Sequence, residues 1–232
     1  MMKEHSIIGK SVPRTDAWDK VVGKAVYTDD LKFPNMLYGK VLRSPHAHAR
    51  ILNINTEKAK RLPGVKGVIT GQDILPVKYG IVPFAQDEYA LAIGKVRYVG
   101  DDVAAVVAVD EDTAQAALEL IEVEYEPLPA VFDVEEAMKP GAPVIHEGVV
   151  NNTSTAFRKE FGNIEEGFKQ AYHIREDVFK TNGQYHAPLE PHAAIARYEP
   201  NGKLTLWSST QIPFFLRKTC PIPWLDESMI RI

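Results

Sequence analysis

Cysteine is almost absent from this chain: Cys220 is the only one in 232 residues. A single thiol excludes an intrachain disulfide and cannot supply the four ligands of an iron–sulfur cluster. Cys220 reads as a small, partly buried apolar residue rather than a reactive thiol, because no histidine or cation pattern beside it would depress its pKa. Long apolar runs are missing too. The longest, Val103 to Val109, is far too short to span a bilayer, and Met1-Met2-Lys3-Glu4-His5-Ser6 has no apolar signal segment. Basic clusters are lacking, and 27 Lys and Arg against 31 Asp and Glu leave a net charge of -4. That balance gives no electrostatic footprint for nucleic acid. A cytoplasmic protein with no nucleic-acid or membrane partner is expected.

What is present is ordinary globular material, 45% apolar and 25% charged, enough for one large domain or two smaller ones. Between residues 20 and 128, strand-like and helix-like segments alternate. Leu37–Leu42, Arg50–Asn55 and Val65–Thr70 read as strands, with a short helix capped by Thr56 before Pro63-Gly64. Val103–Val109 is continuously apolar and reads as a strand covered on both faces. Asp110 should cap a helix running to Ile121, with Ala114, Ala117, Leu118 and Ile121 on one face, before a strand from Glu122 to Tyr125. Residues 129–162, rich in Pro and Gly, read as a surface connector with a helical turn at Val134–Met138. Beyond it, Asn163 should cap a helix over Ile164–Ala171, and strands are expected at His173–Lys180, Ala193–Glu199 and Leu204–Ser209. Asn201-Gly202 should turn the last two into a hairpin.

Six stretches, taken in order, resemble the molybdenum-binding large subunit of the xanthine dehydrogenase and aldehyde oxidase family. They are Lys20–Asp30, Met36–Ile51, Val96–Ala108, Val123–Pro129, Leu189–Ala196 and Ser208–Pro213. The resemblance implies an α+β protein: an α/β hammerhead domain at 20–128 after an N-terminal extension at 1–19, a connector at 129–162, and at 163–232 the opening of the molybdenum-cofactor-binding domain. Gly80–Ala92 together with Arg43–Ile51 looks most like the 4-hydroxybenzoyl-CoA reductase branch.

Family members continue past this point into a Gly-rich loop with Phe that holds the cofactor, and their glutamate base lies much further on. The chain is therefore expected to be the front part of a subunit, with no catalytic residue of its own. Split gene, frameshift and a non-catalytic assembly or remnant module are the readings that follow. In the complete subunit the cofactor would be molybdenum-pyranopterin, with [2Fe-2S] and FAD on partner chains and none retained by this chain alone. The expected partners are the rest of the molybdenum subunit, an iron–sulfur subunit and a flavin subunit. Self-association is also expected, since an end at Ile232 should leave Ile195, Leu204, Leu206 and Trp207 uncovered.

Several residues are candidates for chemistry. His46, His48 and Arg50 alternate on one extended face, where two histidines could hold a metal, yet no further His or Cys completes a site. A hydrogen-bonded strand end is the favoured reading. His186, Glu190 and His192 form a second cluster, but Pro188 and Pro191 break any helix that would set metal-ligand spacing. The resemblance places Glu190 and His192 on the cofactor or substrate wall, supporting the pocket. It also assigns Gln211 to the cofactor, where an amide offers donors to metal-bound oxygens without adding charge. The plainer reading of Thr210-Gln211 is a polar turn before Pro213. No resident metal site is assigned to the chain's own side chains. After Gln211 the pair Pro221 and Pro223 should break the local helix.

Overall fold

A computed structural model describes residues 6–80, 86–219 and 225–232. Cys220 and the expected Pro221–Pro223 break lie outside the described residues, as do residues 81–85 of the Gly80–Ala92 stretch. Two compact units result, and the sequence is divided between them discontinuously. Residues 34–185 make one; the segment up to Phe33, His186–Lys218 and the C-terminal residues make the other. This grouping differs from the division read from the sequence, because the segment before residue 34 packs with the C-terminal strands rather than with 34–128.

The segment before 34 carries helix α1 (Ala17–Val21) and a 3-10 turn at Thr28–Asp30. The larger unit then contains β1 (Tyr38–Arg43), β2 (Ala49–Asn55), α2 (Glu57–Arg61), β3 (Val65–Thr70), β4 (Lys95–Val96) and β5 (Asp102–Ala108). It continues with α3 (Glu111–Glu119), β6 (Glu122–Pro127), α4 (Val134–Ala137) and α5 (Ile164–Gln170). Two three-stranded antiparallel sheets form, in the orders β1-β5-β3 and β4-β2-β6.

The apolar run becomes the central strand β5, flanked by β1 and β3. Its Ala104 and Val106 meet Ala117, Leu118 and Ile121 from α3 and the segment after it, with Ala59 of α2 and Val68 of β3 closing the cluster. Burying a side chain such as Val106, which is 2% exposed, stabilises by about 1.5–3 kcal/mol. Only one face is fully covered. Ala105 and Val107 are half-buried, a correction to the expected strand buried on both sides: an antiparallel sheet can carry its helix on one face and leave the other partly wet. Val103 instead joins a second cluster with Ala49, Ala92 and Val96. The backbone passes so closely there that a Cβ on Gly71 would lie 2.3 Å from the Ala92 carbonyl oxygen, which excludes any side chain at that position.

Helix α3 starts where expected, the Asp110 carboxylate accepting from the Thr113 amide at 2.7 Å. The Asp110 carboxyl is held below its usual range by that bond. Asn163 caps α5 in the same way, accepting from Glu166 N at 3.0 Å. At α2 the expectation needs correcting, because Thr56 makes no side-chain cap bond. Asn55 takes the role, its Oδ1 accepting from Glu57 N at 3.1 Å.

The smaller unit holds β7 (Ala194–Tyr198), β8 (Leu204–Ser208), α6 (Pro213–Thr219) and β9 (Ile230–Arg231), with sheet order β7-β8-β9. The hairpin forms, but not as a two-residue turn. Gly202 N donates to Glu199 O at 2.9 Å, Glu199 N to Lys203 O at 2.8 Å, and Gly202 takes φ +84°, so Pro200-Asn201-Gly202 is a three-residue loop with Gly in the left-handed position. A strand at His173–Lys180 does not form. Its backbone lacks a ladder partner among the described residues, and Val178 and Phe179 are 80% and 87% exposed. The apolar exposure expected on β7 and β8 is also corrected: Leu204 is buried and Ile195, Leu206 and Trp207 are half-buried.

Candidate functional site

The antiparallel register of β7 and β8 pairs Ala194 with Ser208 and Tyr198 with Leu204. The residues just before β7 and just after β8 therefore share the open end of the hairpin. Ser209 fastens that end: its Oγ accepts from Ala193 N at 2.9 Å and its backbone N donates to Ala193 O at 3.1 Å. Glu190 and His192 lead into this point on one side, and Gln211 leaves it on the other. Thr210 Oγ1 accepts from Ile212 N at 3.2 Å, and Pro213, which has no N–H to lose, opens α6.

Gln211 is exposed, and its amide has no hydrogen-bond partner among the described residues. Glu190 is half-buried and His192 exposed. An uncommitted neutral amide on a fastened hairpin end suits an acceptor-rich anionic group, since it donates without introducing charge. Thr210 takes the turn-forming role of the plainer reading. Nearby, Phe33 and Trp207 stack at 5.0 Å with the Arg197 guanidinium 5.8 and 5.3 Å from their ring centres. That stack draws the residues before 34 into the sheet, and no sequence periodicity announces it.

His46 and His48 hold structure. His48 is 5% exposed, its Nδ1 lying 2.6 Å from the Pro129 carbonyl, and His46 packs edge-on to Tyr125 at 4.8 Å. Arg50 pairs with Glu126 at 2.8 Å. Among the described residues no group of three or more His, Cys, Asp or Glu is placed to hold a metal ion.

The connector is more than a surface linker. Lys95 and Arg97, with side chains 10% and 13% exposed, both reach Glu147, at 2.5 and 3.0 Å. Arg97 also donates to Ile145 O at 3.2 Å and Lys95 to Val144 O at 3.4 Å. The Lys95 ammonium, foremost, holds the Glu147 carboxyl down at about 2. Asn152, at φ +51°, donates to Ala137 O and Pro143 O and accepts from Ile145 N, all at 2.9 Å.

The fold is thus a two-sheet α+β unit, with a strapped connector, leading into a second small sheet. Residues 22–129 match the family described as aldehyde oxidase and xanthine dehydrogenase, a/b hammerhead domain, and residues 145–228 match the molybdopterin cofactor-binding domain. The chain belongs to the xanthine dehydrogenase and aldehyde oxidase family, in the molybdopterin-binding large subunit. It is 36% identical to the nicotinate dehydrogenase large molybdopterin subunit of Eubacterium barkeri over 235 residues, covering 100% of this chain and 54% of that one. With the carbon monoxide dehydrogenase large chain of Afipia carboxidovorans it shares 41% identity over 227 residues, 90% of this chain and 28% of the relative. The crystal structure of quinoline 2-oxidoreductase from Pseudomonas putida 86 superposes with a TM-score of 0.81 at 34% identity, covering 96% of this chain and 29% of that one. The chain thus spans between under a third and about half the length of these relatives. No described helix is long and apolar enough to cross a membrane.

Proposed function

We propose that this chain supplies one wall of the molybdenum site in an oxidoreductase that transfers water-derived oxygen to an aromatic, heteroaromatic or aldehyde substrate, or runs the reverse reduction. Bound there, a molybdenum-pyranopterin would supply the two-electron redox chemistry. The chain's own residues position and exclude. The Gln211 amide donates toward the cofactor's oxygens, and Glu190 and His192 support the pocket beside it. The domain limits that go with this reading are 20–128 for the hammerhead and 163–232 for the start of the cofactor domain. The remaining pocket residues, the [2Fe-2S] clusters and the flavin belong to other chain segments or subunits. The observation that supports the reading is the Ala193–Ser209 fastening, which Glu190-Pro191-His192 precedes and an uncommitted Gln211 amide follows along the chain.

The test uses the complete assembly. Gln211→Ala removes one donor, so turnover should fall by roughly 10²-fold or more while molybdenum content stays near wild type. Gln211→Glu should be worse, because it sets a carboxylate against an anionic centre. Wild-type turnover in both variants at full cofactor loading would refute the placement.

A further inference from the structure

Two imidazole nitrogens in the larger unit are buried without a hydrogen-bond partner, Nε2 of His48 and Nδ1 of His146. Both adjoin one stretch of the connector, residues 141–147. His48 lines a hollow closed by Pro143, Val144 and Glu147, while His146 lies within the stretch and lines a second hollow of about 110 Å³. The Nδ1–H of His48 donates to the Pro129 carbonyl, since a carbonyl only accepts. The stretch is held to β4 and the residues after it. That hold is charged: Lys95 and Arg97 on Glu147 and on the Val144 and Ile145 carbonyls.

We propose that residues 141–147 form an acid-releasable latch, closed by the Lys95–Glu147–Arg97 cluster and opened by protonation of His146. A second proton on His146 would place a cation beside Lys95, Arg97 and Lys78 and leave the enclosed Nδ1–H without an acceptor. Asp87 is the counterweight, 3.8 Å from Nε2, and Glu88, Asp101, Tyr89 and Tyr98 line the same hollow. Burial first, with Arg97, Lys78 and Lys95, pulls the imidazole below its usual range despite Asp87. The sign follows: the open latch binds the proton more readily than the closed one. Closure is therefore complete above about pH 6.5 and weakens as pH falls from there toward the depressed value. Glu147 keeps the clasp charged in this window, because it is held down at about 2, whereas burial pushes the Glu88 and Asp101 carboxyls lining the hollow up. The latch does not depend on the cofactor reading. It would regulate how firmly the start of the second matched region, at residue 145, is held to the hammerhead.

Hydrogen exchange of the full chain between pH 5 and 8 tests this, with the Ile145 and Val149 amides read against Val106 in the core as an internal reference. Corrected for intrinsic rates, protection at 145 and 149 should fall by up to about tenfold per pH unit, the limit for one proton, while Val106 holds. His146→Leu should abolish the pH dependence. Asp87→Asn, which removes the counterweight, should leave the onset near pH 6.5 and extend the loss of protection to lower pH, and Glu147→Gln should reduce protection at every pH. An unchanged pH dependence in His146→Leu, no extension of the loss to lower pH in Asp87→Asn, or loss of protection that tracks Val106 would overturn the latch.

Discussion

Removing the Asn152 side chain should release the connector while leaving the hammerhead core intact. Three bonds of 2.9 Å converge on this one amide, tying Ala137, Pro143 and Ile145, which are otherwise held only by sequence neighbours and the Glu147 cluster. Each bond contributes about 0.5–1.5 kcal/mol net, and the sites are part-buried, so water replaces some of what is lost. We expect a loss of about 2–3 kcal/mol in the local closing free energy for Asn152→Ala. The residue also sits at φ +51°, where alanine is disfavoured by about 1 kcal/mol more. Asn152→Gly should recover that backbone part and nothing else. Asn152→Asp keeps the acceptor for Ile145 N but points a carboxylate at two carbonyls, and should be no better than glycine. The readout is hydrogen exchange at Ala142 and Val149, whose amides bond to Lys139 O and His146 O and not to Asn152. With the backbone part included, about 3–4 kcal/mol, their protection should drop by about 150- to 900-fold in Asn152→Ala, with Val106 unchanged. If Ala142 and Val149 stay within about threefold of wild type in Asn152→Ala, the connector is held by something other than this side chain.

Three further outcomes are expected. Asp110→Ala should destabilise the larger unit by about 1 kcal/mol in urea unfolding, because the cap on α3 is lost, whereas Thr56→Ala, which removes no cap bond, should cost much less. Elemental analysis of the isolated chain should find no stoichiometric molybdenum, since one wall of a pocket cannot clamp a pterin. Light scattering at tens of micromolar should show self-association through the segment around Phe161, Tyr172, Phe179 and Leu189, which are 88, 106, 87 and 102% exposed, and a well-behaved monomer would count against it.

The elements legible in the sequence are those whose signals are local. Asp110 and Asn163 cap because their side chains reach an amide three residues on, and the β5 run reads as a strand because it is short for a buried helix and rich in valine. The misreadings came where a distant partner decides. Residues 173–180 have strand composition but no ladder to join among the described residues, and β5 has one half-wet face because α3 covers a single side. The Lys95–Arg97–Glu147 cluster was invisible for the same reason, its members being about fifty residues apart. Even so, the pair Lys95 and Arg97 in an otherwise apolar stretch was a signal that something anionic must cover them. At the candidate site, Gln211, Glu190 and His192 came from family resemblance, and what the fold adds is the Ser209 fastening that no motif displays.

The Phe33–Arg197–Trp207 stack has a consequence for how the chain is made. Residues 34–185 are an insertion: the polypeptide leaves the smaller unit at Phe33 and returns to it only at His186. The sheet that the residues before 34 join does not exist until β8 has been added. The intervening unit, complete by itself in sequence, can fold meanwhile and replace a long floppy loop by a compact one, lowering the entropy lost when Phe33 finally meets Trp207. Order of assembly is thus written into the topology, with residues 34–185 before the sheet that Phe33 joins.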